Sequence, residues 1–99
     1  MTIKLINRGT EGELVLEGRL DSNTTPDAEE IFNSTAERFD TLILNLTGLD
    51  YVSSAGLRVL KKLHMTMQKK EGELLIKNVN RLVMEVFEMT GFVGLFTFV

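Results

Sequence analysis

The stretch Leu42-Ile43-Leu44-Asn45-Leu46, running on into Leu49-Asp50-Tyr51-Val52-Ser53-Ser54-Ala55-Gly56-Leu57-Arg58-Val59-Leu60, decides the fold. Its first five residues are apolar almost without break, the pattern of a central strand covered on both faces or nearly so. From Ser53 or Ser54 onward the period changes. Leu57, Leu60, Leu63 and Met67 fall on one helical stripe, while Arg58, Lys61, Lys62, Gln68 and Lys69 lie elsewhere on the helix. A strand that turns directly into an amphipathic helix is the repeating unit of a parallel α/β sheet. The junctions of such a sheet gather at the carboxyl ends of its strands, where ligands and partners dock.

Upstream, Ile3–Asn7 and Leu14–Leu20 alternate at period two around Arg8-Gly9-Thr10-Glu11-Gly12-Glu13, which predicts an antiparallel pair joined by a turn. The polar cluster Asp21-Ser22-Asn23-Thr24 and then Pro26 suit the start of a helix, and Ala28, Ile31, Phe32, Thr35 and Phe39 share one face of it. Downstream, Gly72 stops the second helix and Leu74-Leu75-Ile76 forms a short strand. Asn80 caps a third helix bearing Val83, Val86, Phe87 and Met89, which Gly91 closes, and Leu95–Val99 returns as a last strand. The order ββαβαβαβ with short loops implies an α/β fold: a mixed sheet, antiparallel in its first pair and then parallel through right-handed crossovers, with helices packed on it.

Composition narrows the function. With 99 residues, 43% of them hydrophobic, the chain reads as a single domain over residues 1–99, with little area left for a deep substrate cleft. The absence of cysteine excludes a disulfide framework, a thiolate metal site and a cysteine nucleophile, and fits a reducing cytoplasm. No apolar run approaches the roughly 20 residues that cross a bilayer, and Met1–Leu5 lacks a basic-then-apolar export pattern, so a cytoplasmic protein with no membrane role is expected. A net charge of −3 with scattered Lys and Arg argues against a nucleic-acid partner. The one histidine, His64, lies on the same helix as Ser54 and roughly 15 Å along it, too far to act as its base, so a serine hydrolase is not expected. No histidine or acidic residues surround it at metal-ligand spacing, and no phosphate-cradling glycine loop exists, so neither a metal nor a cofactor is expected. Glu29-Glu30 and Glu85–Glu88 read as solvated helix faces. Arg58, Lys61, Lys62 and Lys69 read as a basic outer face or a partner contact. Met65, Met67, Met84 and Met89 read as fillers of core gaps, and Phe92, Phe96 and Phe98 as packing the last strand against the third helix.

The junction itself has two readings. A serine before a helix is ordinarily an N-cap whose loss costs about 1 kcal/mol. Small residues Ala55 and Gly56 in the first turn also leave backbone N–H groups open to an anion. Either Ser53 or Ser54 can cap while the other accepts a modification.

Gly18-Arg19-Leu20-Asp21, Leu44-Asn45-Leu46, Ser53-Ser54-Ala55-Gly56-Leu57 and Met89-Thr90-Gly91-Phe92 occur in the order and spacing of the STAS family of bacterial anti-sigma factor antagonists, which this chain resembles over essentially its whole length. The resemblance implies a STAS-like mixed sheet and a non-catalytic binding module. Such an antagonist, unphosphorylated, binds an anti-sigma factor that is also a serine kinase of the histidine-kinase-like ATPase fold, and so frees a sigma factor. Phosphorylation at the junction ends the binding, and a serine phosphatase restores it. By the same resemblance the acceptor is Ser54, two residues before Gly56. Ser53 then takes the place of the family's aspartate, which leaves it a second candidate acceptor. Asp21 corresponds to a family aspartate near the end of the second strand, although as a residue it reads equally as a turn or cap. Asp21, Ser53, Ser54, Ala55, Gly56 and Arg58 are thus the expected partner-binding residues. The alternative within the fold is a constitutive subunit of a transporter or lipid-trafficking complex, in which the serine need not be modified.

Overall fold

The computed structural model describes residues Met1–Val99. Period-two alternation produces β1 (Thr2–Arg8) and β2 (Glu11–Leu20), paired antiparallel from Thr2↔Glu17 to Arg8↔Glu11. Because Glu11, Gly12 and Glu13 already pair with Arg8, Asn7 and Ile6, the connecting turn shrinks from the expected Arg8–Glu13 to Gly9-Thr10. Gly9 takes φ 82°, and its N–H donates to Asn7 Oδ1 at 3.0 Å. There follow α1 (Thr25–Arg38), β3 (Thr41–Val52), α2 (Ser54–Lys69), β4 (Glu73–Lys77), α3 (Arg81–Thr90), a 3₁₀ turn at Phe92–Gly94 and β5 (Thr97–Phe98). The sheet order is β1-β2-β3-β4-β5, with every pair after the first parallel. The expected mixed sheet and the order ββαβαβαβ are what the chain adopts.

The helices and one face of the sheet share a single apolar cluster. Leu14, Leu16, Leu42, Leu44, Leu46 and Ile76 from the strands meet Phe32 of α1, Leu57, Leu60, Leu63 and Met67 of α2, and Val83 and Phe87 of α3. The α2 stripe is the one its periodicity predicts. β3 departs from expectation in two ways. It runs on to Val52, because the pairing with β2 continues past two register shifts, at Thr47 and Asp50, through Gly48, Leu49 and Tyr51 to Leu20↔Val52. It is also covered on one face only: Leu42, Leu44 and Leu46 are buried, whereas Ile43 and Asn45 are half-buried. The opposite face is held by polar chemistry. Buried Glu13 accepts from Asn45 Nδ2 (3.0 Å) and Arg8 (2.8 Å) and lies 3.4 Å from Lys77 Nζ. Asn45 above all, then the two cations, holds the Glu13 carboxyl below the ordinary carboxylate range despite its burial.

At the C-terminal end the expected strand Leu95–Val99 contracts to Thr97–Phe98. Gly91, at φ 81°, closes α3 into the 3₁₀ turn, and Phe96 N–H still points back to Phe92 O at 3.1 Å. The phenylalanines pack as expected: Phe96 is buried edge-on to Phe87 at 5.6 Å and to His64 at 5.9 Å. Two methionines do not. Met67 is buried and Met84 half-buried, but Met65 and Met89 are exposed. Only Val83 and Phe87, four residues apart, form the buried stripe of α3. Met89 lies on a different side of the helix, so its apolar character fills no core gap.

Candidate functional site

The carboxyl ends of β2 and β3 lie side by side, with Arg19↔Tyr51 and Leu20↔Val52 as the last pairs. Asp21 and Ser53 therefore leave the sheet from adjacent positions, although 32 residues separate them in the sequence. The carbonyl of Leu20 is the hub. It accepts the Ser53 N–H at 2.9 Å, and it would lie 2.6 Å from a Cβ added at Gly56. Gly56 is buried there, with Val52 Cγ2 also within 2.8 Å of that position. Its glycine lets the first turn of α2 rest directly on the end of β2.

The two serines divide the work of this turn. Ser53 is the N-cap, in extended backbone conformation (φ −92°, ψ 176°). Its side-chain oxygen accepts the Gly56 N–H at 3.2 Å, and its carbonyl accepts the Leu57 N–H at 2.9 Å. Of the first-turn amides, Gly56 is thus occupied, while those of Ser54 and Ala55 have no acceptor within the helix. Ser54 is the first residue of α2 and is exposed, Ala55 is half-buried, and Arg58 is exposed one turn further along on the same face as Ser54.

Asp21 organises the other half of the edge. Its Oδ1 accepts from Asn23 N (2.9 Å) and Thr24 N (3.3 Å), and its carbonyl accepts from Thr24 N (3.1 Å) and Thr25 N (2.9 Å), so it forms the turn that starts α1. Its Oδ2 lies 3.6 Å from Arg19 Nε. The Asn23 N–H first, then Thr24 N–H and Arg19, hold this carboxyl below its ordinary range, so it is an anion at neutral pH. Arg19 in turn lies over the ring of Tyr51, its guanidinium carbon 4.3 Å from the ring centre. The result is a row of anion, cation and aromatic face at the ends of β2 and β3.

The sequence profile of the STAS domain matches residues 4–99. The chain belongs to the STAS domain family. Over 55 residues it is 42% identical to BtrV of Bordetella bronchiseptica, a protein that carries the name of an anti-sigma factor antagonist. That match covers 56% of this chain and 47% of BtrV, under half of the relative's length. Among solved structures, an anti-sigma factor antagonist of Mycobacterium paratuberculosis superposes with a TM-score of 0.86 at 18% identity, covering 98% of this STAS domain and 83% of that chain. The anti-sigma factor antagonist SpoIIAA in its unphosphorylated form gives 0.84 at 17% identity, covering 99% and 88%. SpoIIAA of Bacillus in its phosphorylated form gives 0.77 at 16% identity, covering 99% and 91%. At these identities the superpositions establish the fold of this STAS domain.

Of the residues expected at the site, the STAS domain brings Asp21, Ser53, Ser54, Ala55, Gly56 and Arg58 to one edge. Gly56 lies beneath that edge, against Leu20. Arg19 and Tyr51 were not expected there. The signal for them was the parallel pairing of two strand ends, since residues two before Asp21 and two before Ser53 must then be neighbours. No helix of the domain is long and apolar enough to cross a membrane.

Proposed function

We propose that this STAS domain is a non-catalytic, phosphorylation-gated binding module. It is an anti-sigma factor antagonist that, unmodified, binds an anti-sigma factor with the serine-kinase ATPase fold, and that phosphorylation of Ser54 switches off until a phosphatase restores it. The observation that carries the reading is the division between the serines: Ser53 occupies the cap, and Ser54 stands exposed at the head of α2, which begins where β2 and β3 end side by side. The names of BtrV and the two states of SpoIIAA support it.

The physics of the switch follows from the two environments a phosphate meets. A phosphoserine adds about −1.5 to −2 charges. In the free domain it meets the open N–H groups of Ser54 and Ala55, the positive end of the helix, and Arg58 one turn away, interactions of about 0.3–1 kcal/mol when exposed. In a docked interface the same charge, left uncompensated, costs several kcal/mol. A difference of about 3–4 kcal/mol is a several-hundredfold loss of affinity with the fold intact.

The test has two parts. Mass spectrometry of the protein isolated from growing cells is expected to place phosphate on Ser54. In calorimetric titration against an ATPase-fold serine kinase from the same genome, wild type and Ser54→Ala are expected to bind and Ser54→Asp to bind several hundredfold more weakly. Phosphate on neither serine, with equal binding by all three proteins, would favour a constitutive subunit instead.

A further inference from the structure

Helix α3 carries two apolar stripes where one suffices to bury it. Val83 and Phe87 face the core. Leu82, Val86 and Met89, spaced at four and three residues, form a second stripe on the solvent side: Leu82 is 68% exposed, Met89 85% exposed and Val86 half-buried. The second stripe looks across a groove of about 270 Å³ at the end of β3, where Tyr51 is 41% exposed above buried Val52. The Asn80 side chain sets this spacing. Its Oδ1 caps α3 at Val83 N (2.9 Å), while its Nδ2 donates to Leu49 O (2.6 Å), so the helix start is bound to the strand that forms the opposite wall.

Single exposed apolar residues are ordinary, but several that line one groove mark a surface that binds. The charged residues of the groove say what binds. Asp50 and Glu85 are the charged residues that line it; Arg19 stacks on the Tyr51 ring, and the one ion pair made there, Arg81–Glu85, is an exposed i,i+4 contact at 3.4 Å that a partner's cation can replace. A narrow apolar trough with acidic walls, containing an unbranched and adaptable methionine, matches an amphipathic helix whose apolar stripe is flanked by Lys or Arg. We infer that the α3–β3 groove is the docking site for such a basic amphipathic helix of the partner. The inference rests on the proposed function and deepens it: Tyr51 and Val52, which line the groove, lead directly into Ser53 and Ser54.

The experiment uses the full chain, ¹⁵N-labelled, titrated in solution with two helical peptides of about 15 residues that share a leucine stripe and differ in having lysine or glutamate flanks. The lysine peptide is expected to shift the amide signals of Tyr51, Leu82, Val86 and Met89, with the glutamate peptide at least about tenfold weaker. Leu82→Glu and Met89→Glu are each expected to lower affinity about tenfold or more, and both positions are exposed enough to leave folding intact. Met65→Glu, at the exposed methionine of α2, is expected to change nothing, and Asp50→Lys with Glu85→Lys is expected to reverse the peptide preference. Shifts confined to other surfaces, equal binding of both peptides, or a concentration-dependent dimer that Leu82→Glu dissolves would each overturn the inference. The peptide titration reports on the groove, and the kinase titration with Ser54→Asp reports on the phosphate switch. Failure of the groove and failure of the phosphate switch are therefore read separately.

Discussion

Helices α2 and α3 begin in the same way and present opposite things. Each follows a strand, and each has a cap residue in extended conformation, Ser53 and Asn80, whose side chain accepts the N–H three residues on, at 3.2 Å and 2.9 Å. The difference lies in the first turn. In α2 it is Ser54-Ala55-Gly56, small enough for the helix to settle on the Leu20 carbonyl, so a bare helix end with one hydroxyl is displayed. In α3 it is Arg81-Leu82-Val83, held to β3 through an amide side chain, and a groove with an apolar wall is displayed. The cap decides where a helix starts, and the size of the next three residues decides how near the sheet it docks.

The strongest way to break this comparison is to add one methyl to the tighter start. At an exposed helix position Gly→Ala stabilises by roughly 0.5–1 kcal/mol. At Gly56 the new Cβ would lie 2.6 Å from a backbone oxygen of an adjoining strand that cannot move aside. Gly56→Ala is therefore expected to destabilise by about 1–3 kcal/mol, read from denaturant midpoints at unchanged m-value. A gain in stability would mean that the close docking of α2 is not what constrains this residue.

The two caps allow a finer contrast. Ser53→Ala removes one capping bond and is expected to cost about 1 kcal/mol. Asn80→Ala removes a cap and also the bond to Leu49 O, and is expected to cost about 2 kcal/mol. Equal losses would show that the amide tether contributes nothing and that α3 is placed by its buried stripe alone. Smallest of all should be Ser54→Asp. The new charge sits at the positive end of α2 in solvent, so thermal unfolding is expected to shift by less than the equivalent of about 1 kcal/mol, upward if at all. A large loss of stability would show that Ser54 supports the fold, and any effect of modification on binding would then be indirect.

How much of this could be read beforehand differs between the two helices. The buried stripe of α2 and its start at Ser53 or Ser54 were legible, because a continuous period near 3.6 follows an apolar strand. The second stripe of α3 was not. In Arg81–Thr90 six of ten residues are apolar, Leu82, Val83, Met84, Val86, Phe87 and Met89, so the pattern does not distinguish a core-facing Phe87 from a solvent-facing Met89. The division of labour between Ser53 and Ser54 was equally hidden, since a one-residue shift of helix start exchanges cap and exposed position.

By itself the sequence determined the order of elements, the antiparallel opening of the sheet, the buried face of α2 and the strand-to-helix junction at Ser53 and Ser54. Each of these follows from local periodicity and from the chemistry of Gly, Pro and capping residues. Tertiary structure alone decided that β3 is covered on one face, that Arg19, Tyr51 and Asp21 form one row at the strand ends, and that Gly56 is locked beneath the edge while Leu82 and Met89 stand outside it. The physical reason is that these facts depend on which strand ends become neighbours and how closely a helix approaches them. Contacts across tens of residues set both, and no window of local sequence contains them.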